Sequence, residues 1–339
     1  MRYFMKSLRK NKIVFAYAAA IGLLALAGLS GVLLGSTKLS VGDMIAALAG
    51  GDLDSPEARI LVYVRLPRVI AGIICGMALS VSGVVIQATL ANRLASPSII
   101  GVNAGAGLAV TLCSAFGIIG GWRLSLLSFL GAFLTVMTVS LGAKKWGASR
   151  GTVILLGVAL NAFIGAIADS VTTLVPEVSV MSNDFKIGDF SAATYGKVIP
   201  AAVAAILGVL ILGALSNELD VLTLGDDNAR GLGLNTGVMR VIFLMLSALL
   251  AGAAVSVCGL LSFVGLLVPH AVRRVGVSES RHLLPLCAIF GAGFVTLCDT
   301  LARVIFAPYE LPVGIIMAFL GAPFFIFILI KGKGGAVND

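Results

Sequence analysis

Arg65 and Arg68, in the tetrapeptide Arg65-Leu66-Pro67-Arg68, are three residues apart, so on a helix they share one face. Pro67 suits the first turn of that helix, where its missing N–H costs nothing. Two guanidinium groups so placed have two uses. They snorkel to lipid head groups at a membrane edge, or they form a cationic patch that grips the carboxylates of an external partner. Asp299 and Arg303 stand at i and i+4, a spacing that permits an ion pair and lowers the cost of ionised groups near lipid. Asp169 is a lone acid that either faces a water-filled path or reaches the interface.

Other chemistry is thinly provided. His270 follows Pro269 and His282 follows Arg281, with no second His or Cys at ligand spacing, so no metal site is expected. There is no G-x-x-x-x-G-K-[ST] loop for ATP, no serine elbow and no H-E-x-x-H. Cys75, Cys113, Cys258, Cys287 and Cys298 all fall in apolar stretches without a C-x-x-C pair, and read as small buried hydrophobes. No cofactor is expected in this chain.

Composition then decides what carries these groups. Hydrophobic residues make up 59% of the 339 residues and charged ones 12%, against about 25% in a soluble domain. The mean hydropathy is +1.07. Such a chain has little surface in water. The net charge of +8 comes from Lys and Arg set between apolar runs with few aromatics, which suits membrane topology and argues against nucleic acid. The expected fold class is an all-α polytopic membrane protein, one transmembrane domain over 1–339.

Ten apolar runs delimit candidate spans at 13–34, 66–88, 99–119, 124–143, 152–174, 195–215, 239–259, 261–275, 284–305 and 312–331. The eighth is short and needs tilt or partial burial. The basic N-terminus and Ala25-Leu26-Ala27 imitate a signal peptide, but the apolar run continues past them, which reads as an uncleaved first span. With N- and C-termini cytoplasmic, Lys and Arg fall about two to one on the inner side, as the positive-inside rule requires. The outer loops collect Asp43, Asp52, Asp54, Glu57, Glu177, Asp184 and Asp189.

Residues 76–83 (GMALSVSG) resemble 252–259 (GAAVSVCG), on spans that run in opposite directions; this suggests inverted halves, spans 2–5 and 7–10. Gly31/Gly35, Gly72/Gly76, Gly101/Gly105 and Gly117/Gly121 have the spacing that lets helix backbones approach closely in lipid. The segment 92–97 (NRLASP) reads as a cytoplasmic turn that Pro97 enforces. The loop 219–237 is polar but punctuated by Leu222, Leu224, Leu232 and Leu234, the pattern of a short surface helix that docks on a cytosolic partner.

The ordered motifs RLPR, GMALSVSGVVIQ, NRLASPSIIGVNAGAG, ARGLGL, FVGLLVPHAVRR, CDTLAR and ELPVGIIMAFLGAPFF resemble the FecCD family over about 60–331. These are permeases of ABC importers for iron–siderophores, haem and cobalamin, the last including vitamin B12 permeases. The resemblance implies a ten-helix subunit of the bacterial plasma membrane that pairs with an identical copy. It also implies two cytoplasmic ATPase subunits that bind the ATP, and an extracytoplasmic binding protein. It assigns Arg65, Arg68 and Arg303 to docking of the binding protein, Leu224, Ala229, Gly231 and Gly233 to the ATPase-coupling loop, and Asn92 and Leu94 to a cytoplasmic gate. At that gate Arg93 replaces the family's usual proline. An iron–siderophore is the expected cargo, with haem or cobalamin as alternatives. Outside the family, an ion-coupled secondary transporter would instead use intramembrane acids such as Asp169.

Overall fold

The computed structural model describes residues 2–37, 40, 42, 55–145 and 149–333, of which 2–11 and 328–333 are described as backbone only. Among the described residues the chain is helical throughout, with no strand. Seven helices are long and apolar enough to cross a membrane: α1 (Lys12–Leu33 of the helix Arg2–Leu33), α2 (Pro56–Thr89), α4 (Gly121–Lys145), α5 (Arg150–Leu174), α7 (Tyr195–Ala214), α10 (Thr236–Cys258) and α12 (Ser280–Val304). Shorter helices complete the bundle: α3 (Val102–Ala115), α6 (Ser179–Ile187), α8 (Ser216–Thr223), α9 (Asp226–Gly231), α11 (Val264–Arg274) and α13 (Val313–Lys333).

Burial sorts the helices. α2, α10 and α12 are mostly inside, whereas α1, α5 and α7 turn apolar side chains such as Phe15, Leu155, Phe163 and Leu210 outward. In lipid that exposure costs nothing, since acyl chains are as apolar as leucine.

The helix pairings carry the two-fold pattern that the repeated octapeptides predict. α2 packs against α12, and its counterpart α10 packs against α4, the counterpart of α12. Gly76 of the first octapeptide lies on the backbone of Gly291 in α12, while Gly252 of the second lies on Phe129 and Ala132 of α4. The two central helices meet through Ser82 and Ser247, whose hydroxyls lie 2.6 Å apart.

The third and eighth apolar runs, matching positions in the two halves, are both interrupted. The third is a 3-10 turn (Pro97–Ile100) that breaks at Gly101, φ +104°, before α3 begins. The eighth shrinks to the 11 residues of α11, entered through Phe263 in the left-handed region at φ +66°. α11 is short because it is covered by protein: Val264, Leu267, Val268 and Val272 are all buried. Of the four glycine pairs, three have members that face neighbouring chain (Val69, Thr296, Thr135), while Gly117 and Gly121 sit in the turn between α3 and α4 at φ +76° and +73°.

A Cβ on Gly83 would collide with the backbone carbonyl of Gly265, and one on Gly107 would meet open space. Gly83→Val is therefore expected to cost at least the 1–3 kcal/mol typical of overpacking, roughly, because backbone cannot yield as a side chain does. Gly107→Ala should be neutral. Thermal unfolding of the detergent-solubilised protein checks both.

Candidate functional site

Functional side chains gather at both ends of the bundle. At one end α1 stops at Leu33, leaving its last carbonyls without helical partners, a costly state where water is scarce. Two arginines fill the gap. Arg65 Nη1 donates to Val32 O and Leu33 O, both at 2.8 Å, and Nη2 donates to Thr37 O at 2.6 Å. Arg303 donates to Gly31 O at 3.1 Å and Leu34 O at 3.3 Å. Cations at a helix C-terminus also complement its dipole.

Arg303 and Arg68 share Asp299. Arg68 Nε lies 3.0 and 3.1 Å from the two carboxylate oxygens, and Arg303 Nε lies 3.2 Å from Oδ2. Arg68 is further held by Glu310 at 2.6 Å and Asp189 at 3.5 Å, and Glu310 accepts from Ser36 Oγ at 2.7 Å. Burial pushes the Glu310 carboxyl up, but the Ser36 hydroxyl and the Arg68 charge outweigh it and hold it below the usual glutamate range.

The i, i+4 pair of Asp299 and Arg303 thus forms as its spacing predicts, and the structure brings Arg65, Arg68 and Arg303 together. Their presentation differs from the expected open patch. Each is only 2–3% exposed and turned inward onto carbonyls and carboxylates, neither snorkelled to head groups nor offered free to a partner. The physical reason is the cost of an unpaired guanidinium at the hydrocarbon edge. Asp169 is not alone: Lys186 of α6 lies 3.6 Å away, and both are exposed.

At the opposite end, Asn92 Oδ1 accepts from Leu94 N at 2.9 Å, fixing the turn after α2. Leu94 is exposed and lines a cavity of about 240 Å³ with Ser96, Asn103, Ser262 and Phe263. That cavity lies where the two interrupted segments meet. Phe263 in turn packs on Gly321 of α13, where a Cβ would collide with its ring. Arg93 is exposed beside Leu94.

The loop 219–237 is not irregular: it holds the end of α8, then α9, then the start of α10. Gly233 N donates to Arg230 O and Leu234 N to Ala229 O, at 2.9 and 3.0 Å, with Gly233 at φ +85°. This is a Schellman stop, so Gly233 terminates α9 and Ala229, fully buried, anchors it. Leu224 and Leu232 are exposed, and Gly231 has open space around it.

Two acids that sequence reasoning did not single out tie this segment to the bundle. Asp220 accepts from the N–H and hydroxyl of Ser280, at 3.0 and 2.6 Å, and so caps α12. Asp226 bridges Arg150 of α5 at 2.7 Å and Arg240 of α10 at 2.6 Å. Those hydrogen bonds and charges overcome burial and hold its carboxyl below the usual aspartate range. The sequence offers three acids in 220–227, and nothing in their spacing tells which will find a partner.

Among the described residues no group of three His, Cys, Asp or Glu side chains could hold a metal, and all five cysteines are buried and unpaired. The site is built to hold charges and helix ends in place.

A profile of the FecCD transport family matches residues 23–331. The chain belongs to the FecCD transport family. It is 34% identical to the Fe(3+)-citrate import system permease protein YfmD of Bacillus subtilis, over 88% of this chain and 89% of that protein. It is 36% identical to the hemin transport system permease protein HmuU of Yersinia pestis, over 81% and 84% of the two chains. Its fold resembles a metal-chelate type ABC transporter solved in an inward-facing conformation, with a TM-score of 0.81 and 27% identity, covering 94% of this chain and 99% of the other. This FecCD chain is a membrane-embedded, multi-pass transport permease.

Because the folded-state Glu310 and Asp226 carboxyls are held low, their pairings stabilise the protein fully above the ordinary carboxylate range, and the contribution is lost as pH falls through the lowered values. Glu310→Gln and Asp226→Asn should each flatten the acid limb of a plot of unfolding temperature against pH, relative to wild type. An unchanged limb in both variants would contradict the pairing.

Proposed function

We propose that this chain is the membrane-spanning subunit of an ATP-driven, binding-protein-dependent importer whose cargo is an iron chelate. What carries the reading is family membership over residues 23–331, together with relatives named for ferric citrate and hemin transport. The subunit works with an identical copy, two cytoplasmic ATPases and an extracytoplasmic binding protein. It lies in a bacterial plasma membrane with both termini inside. It holds no cofactor of its own, and ATP is bound by the partner ATPases.

In this reading the inner segment does the coupling. Leu224 and Leu232 are exposed on a segment whose acids fasten it to α5, α10 and α12. An ATPase surface that covers those leucines moves three membrane helices at once. The turn at Asn92 and Leu94, facing Phe263 across the inner cavity, is the gate. Coupling of this kind needs two helix arrangements that both ends bias.

At the outer end, Arg68 is the docking cation, because Glu310 and Asp189 are its partly exposed partners, with side chains 32% and 28% exposed. Carboxylates of an incoming binding protein replace these two. Arg65 and Arg303, committed to α1 carbonyls, hold the rim on which Arg68 sits.

Uptake into proteoliposomes containing the permease, its ATPase and its binding protein tests the reading. Ferric citrate, a ferric siderophore, haem and cobalamin would be compared. Uptake of an iron chelate that needs ATP and ignores uncouplers is expected. Leu224→Glu/Leu232→Glu should lower it at least about tenfold, through loss of a buried apolar contact with the ATPase. Uptake driven by an ion gradient without ATP would mark a secondary transporter.

A further inference from the structure

A second cavity at the inner end is unlike the gate. It has a volume of about 210 Å³ and lies between the last turn of α4 and the first turns of α5, α9 and α10. Lys144, Arg230 and Arg240 line it, with Asp226 as its acid. That carboxylate is already engaged by Arg240 and by Arg150 from outside the lining, so Lys144 and Arg230 leave the cavity positive. Arg230 is steered toward the cavity by its bond from Nε to Thr236 Oγ1, at 3.2 Å.

Two helices start at the rim: α5, capped by Ser149, and α10, which begins at Thr236. Their N-terminal N–H groups favour an anion. A separate observation points the same way. Ser140 lines the cavity and is 1% exposed, yet its hydroxyl has no hydrogen-bond partner among the described residues. A buried hydroxyl normally finds one.

From this geometry we infer that the cavity is a binding site for a phosphate group, held by Lys144, Arg230 and Arg240 and by a hydrogen bond from Ser140. The apolar span of α4 ends here, at Lys144 and Lys145 in its last turn. Basic pockets between membrane helices on the cytoplasmic side are the usual seats of anionic head groups. The phosphate would sit against α9, so its occupancy would stiffen the junction of α9 with α4, α5 and α10. Nothing in this inference depends on the cargo.

The test uses the full chain, purified in neutral detergent and stripped of lipid. Phosphatidylglycerol, phosphatidylcholine and inorganic phosphate are titrated separately, with bound lipid read by native mass spectrometry and stability by thermal unfolding. Wild type is expected to bind phosphatidylglycerol in preference to phosphatidylcholine. Lys144→Gln/Arg230→Gln should bind it about 25-fold more weakly, from roughly fivefold for each cation. Ser140→Ala should bind several-fold more weakly, while the lipid-free variant unfolds no earlier than wild type, since only an unsatisfied hydroxyl is removed. Competition by millimolar inorganic phosphate would identify a site open to free phosphate; its absence would assign the site to the lipid. Equal phosphatidylglycerol affinity in wild type and both variants would overturn the proposal.

Discussion

Asp299, 1% exposed, lies between the guanidinium groups of Arg68 and Arg303, and that end of the molecule depends on the contact. Each charge alone would be too costly at the hydrocarbon edge. Together they allow Arg303 to reach the end of α1, where it joins Arg65 in satisfying carbonyls that a helix end leaves open. One carboxylate on α12 thereby fixes α2 and the terminus of α1. Breaking a buried pair is expensive because it strands the surviving charge, whereas removing both partners often is not.

α12 carries this arrangement to the other side. Asp299 lies near its C-terminal end, and its N-terminal end begins at Ser280, capped by Asp220 of α8. The nineteen helical steps from Ser280 to Asp299 span roughly 28 Å at the helical rise, about the hydrocarbon thickness. A displacement of α8 and α9 thus acts on a helix whose far end carries Asp299, the carboxylate that pairs with Arg68 and Arg303. Around this lever the molecule is close-packed through glycine: Gly76 against Gly291, Gly83 against Gly265. Where the two halves depart from regular helix, at Gly101 and at Phe263, they enclose the inner cavity. Interrupted helices at matching positions of inverted halves are where transporters of this design place their paths.

Much of this was legible in the sequence, because it follows from periodicity and composition. Apolar runs pointed to ten membrane spans, of which seven appear among the described residues as helices long and apolar enough to cross; the octapeptides at 76–83 and 252–259 pointed to paired halves, and the spacing of Asp299 and Arg303 gave their ion pair. The motifs gave the family. What was not legible depends on contacts between distant residues. Nothing near Arg65 announces that α1 carbonyls, thirty residues earlier, will occupy it. Asp226 and Asp227 are adjacent and alike, yet it is Asp226 that bridges Arg150 and Arg240, because only the fold sets α5 and α10 on either side of it. Phe263 reads as one apolar residue among many until its backbone is seen at φ +66°.

The measurement that bears most directly on this account is a double-mutant cycle on Arg68 and Asp299, with folded yield and thermal unfolding of the detergent-solubilised chain as readouts. The account predicts that Arg68→Leu and Asp299→Leu alone each lose about 3–5 kcal/mol, as broken buried pairs do, and that the double variant loses clearly less than the sum, the remaining loss coming from Arg303, which Asp299 also pairs. Two mild, additive losses would contradict the account and return Asp299 to a bystander at the membrane edge.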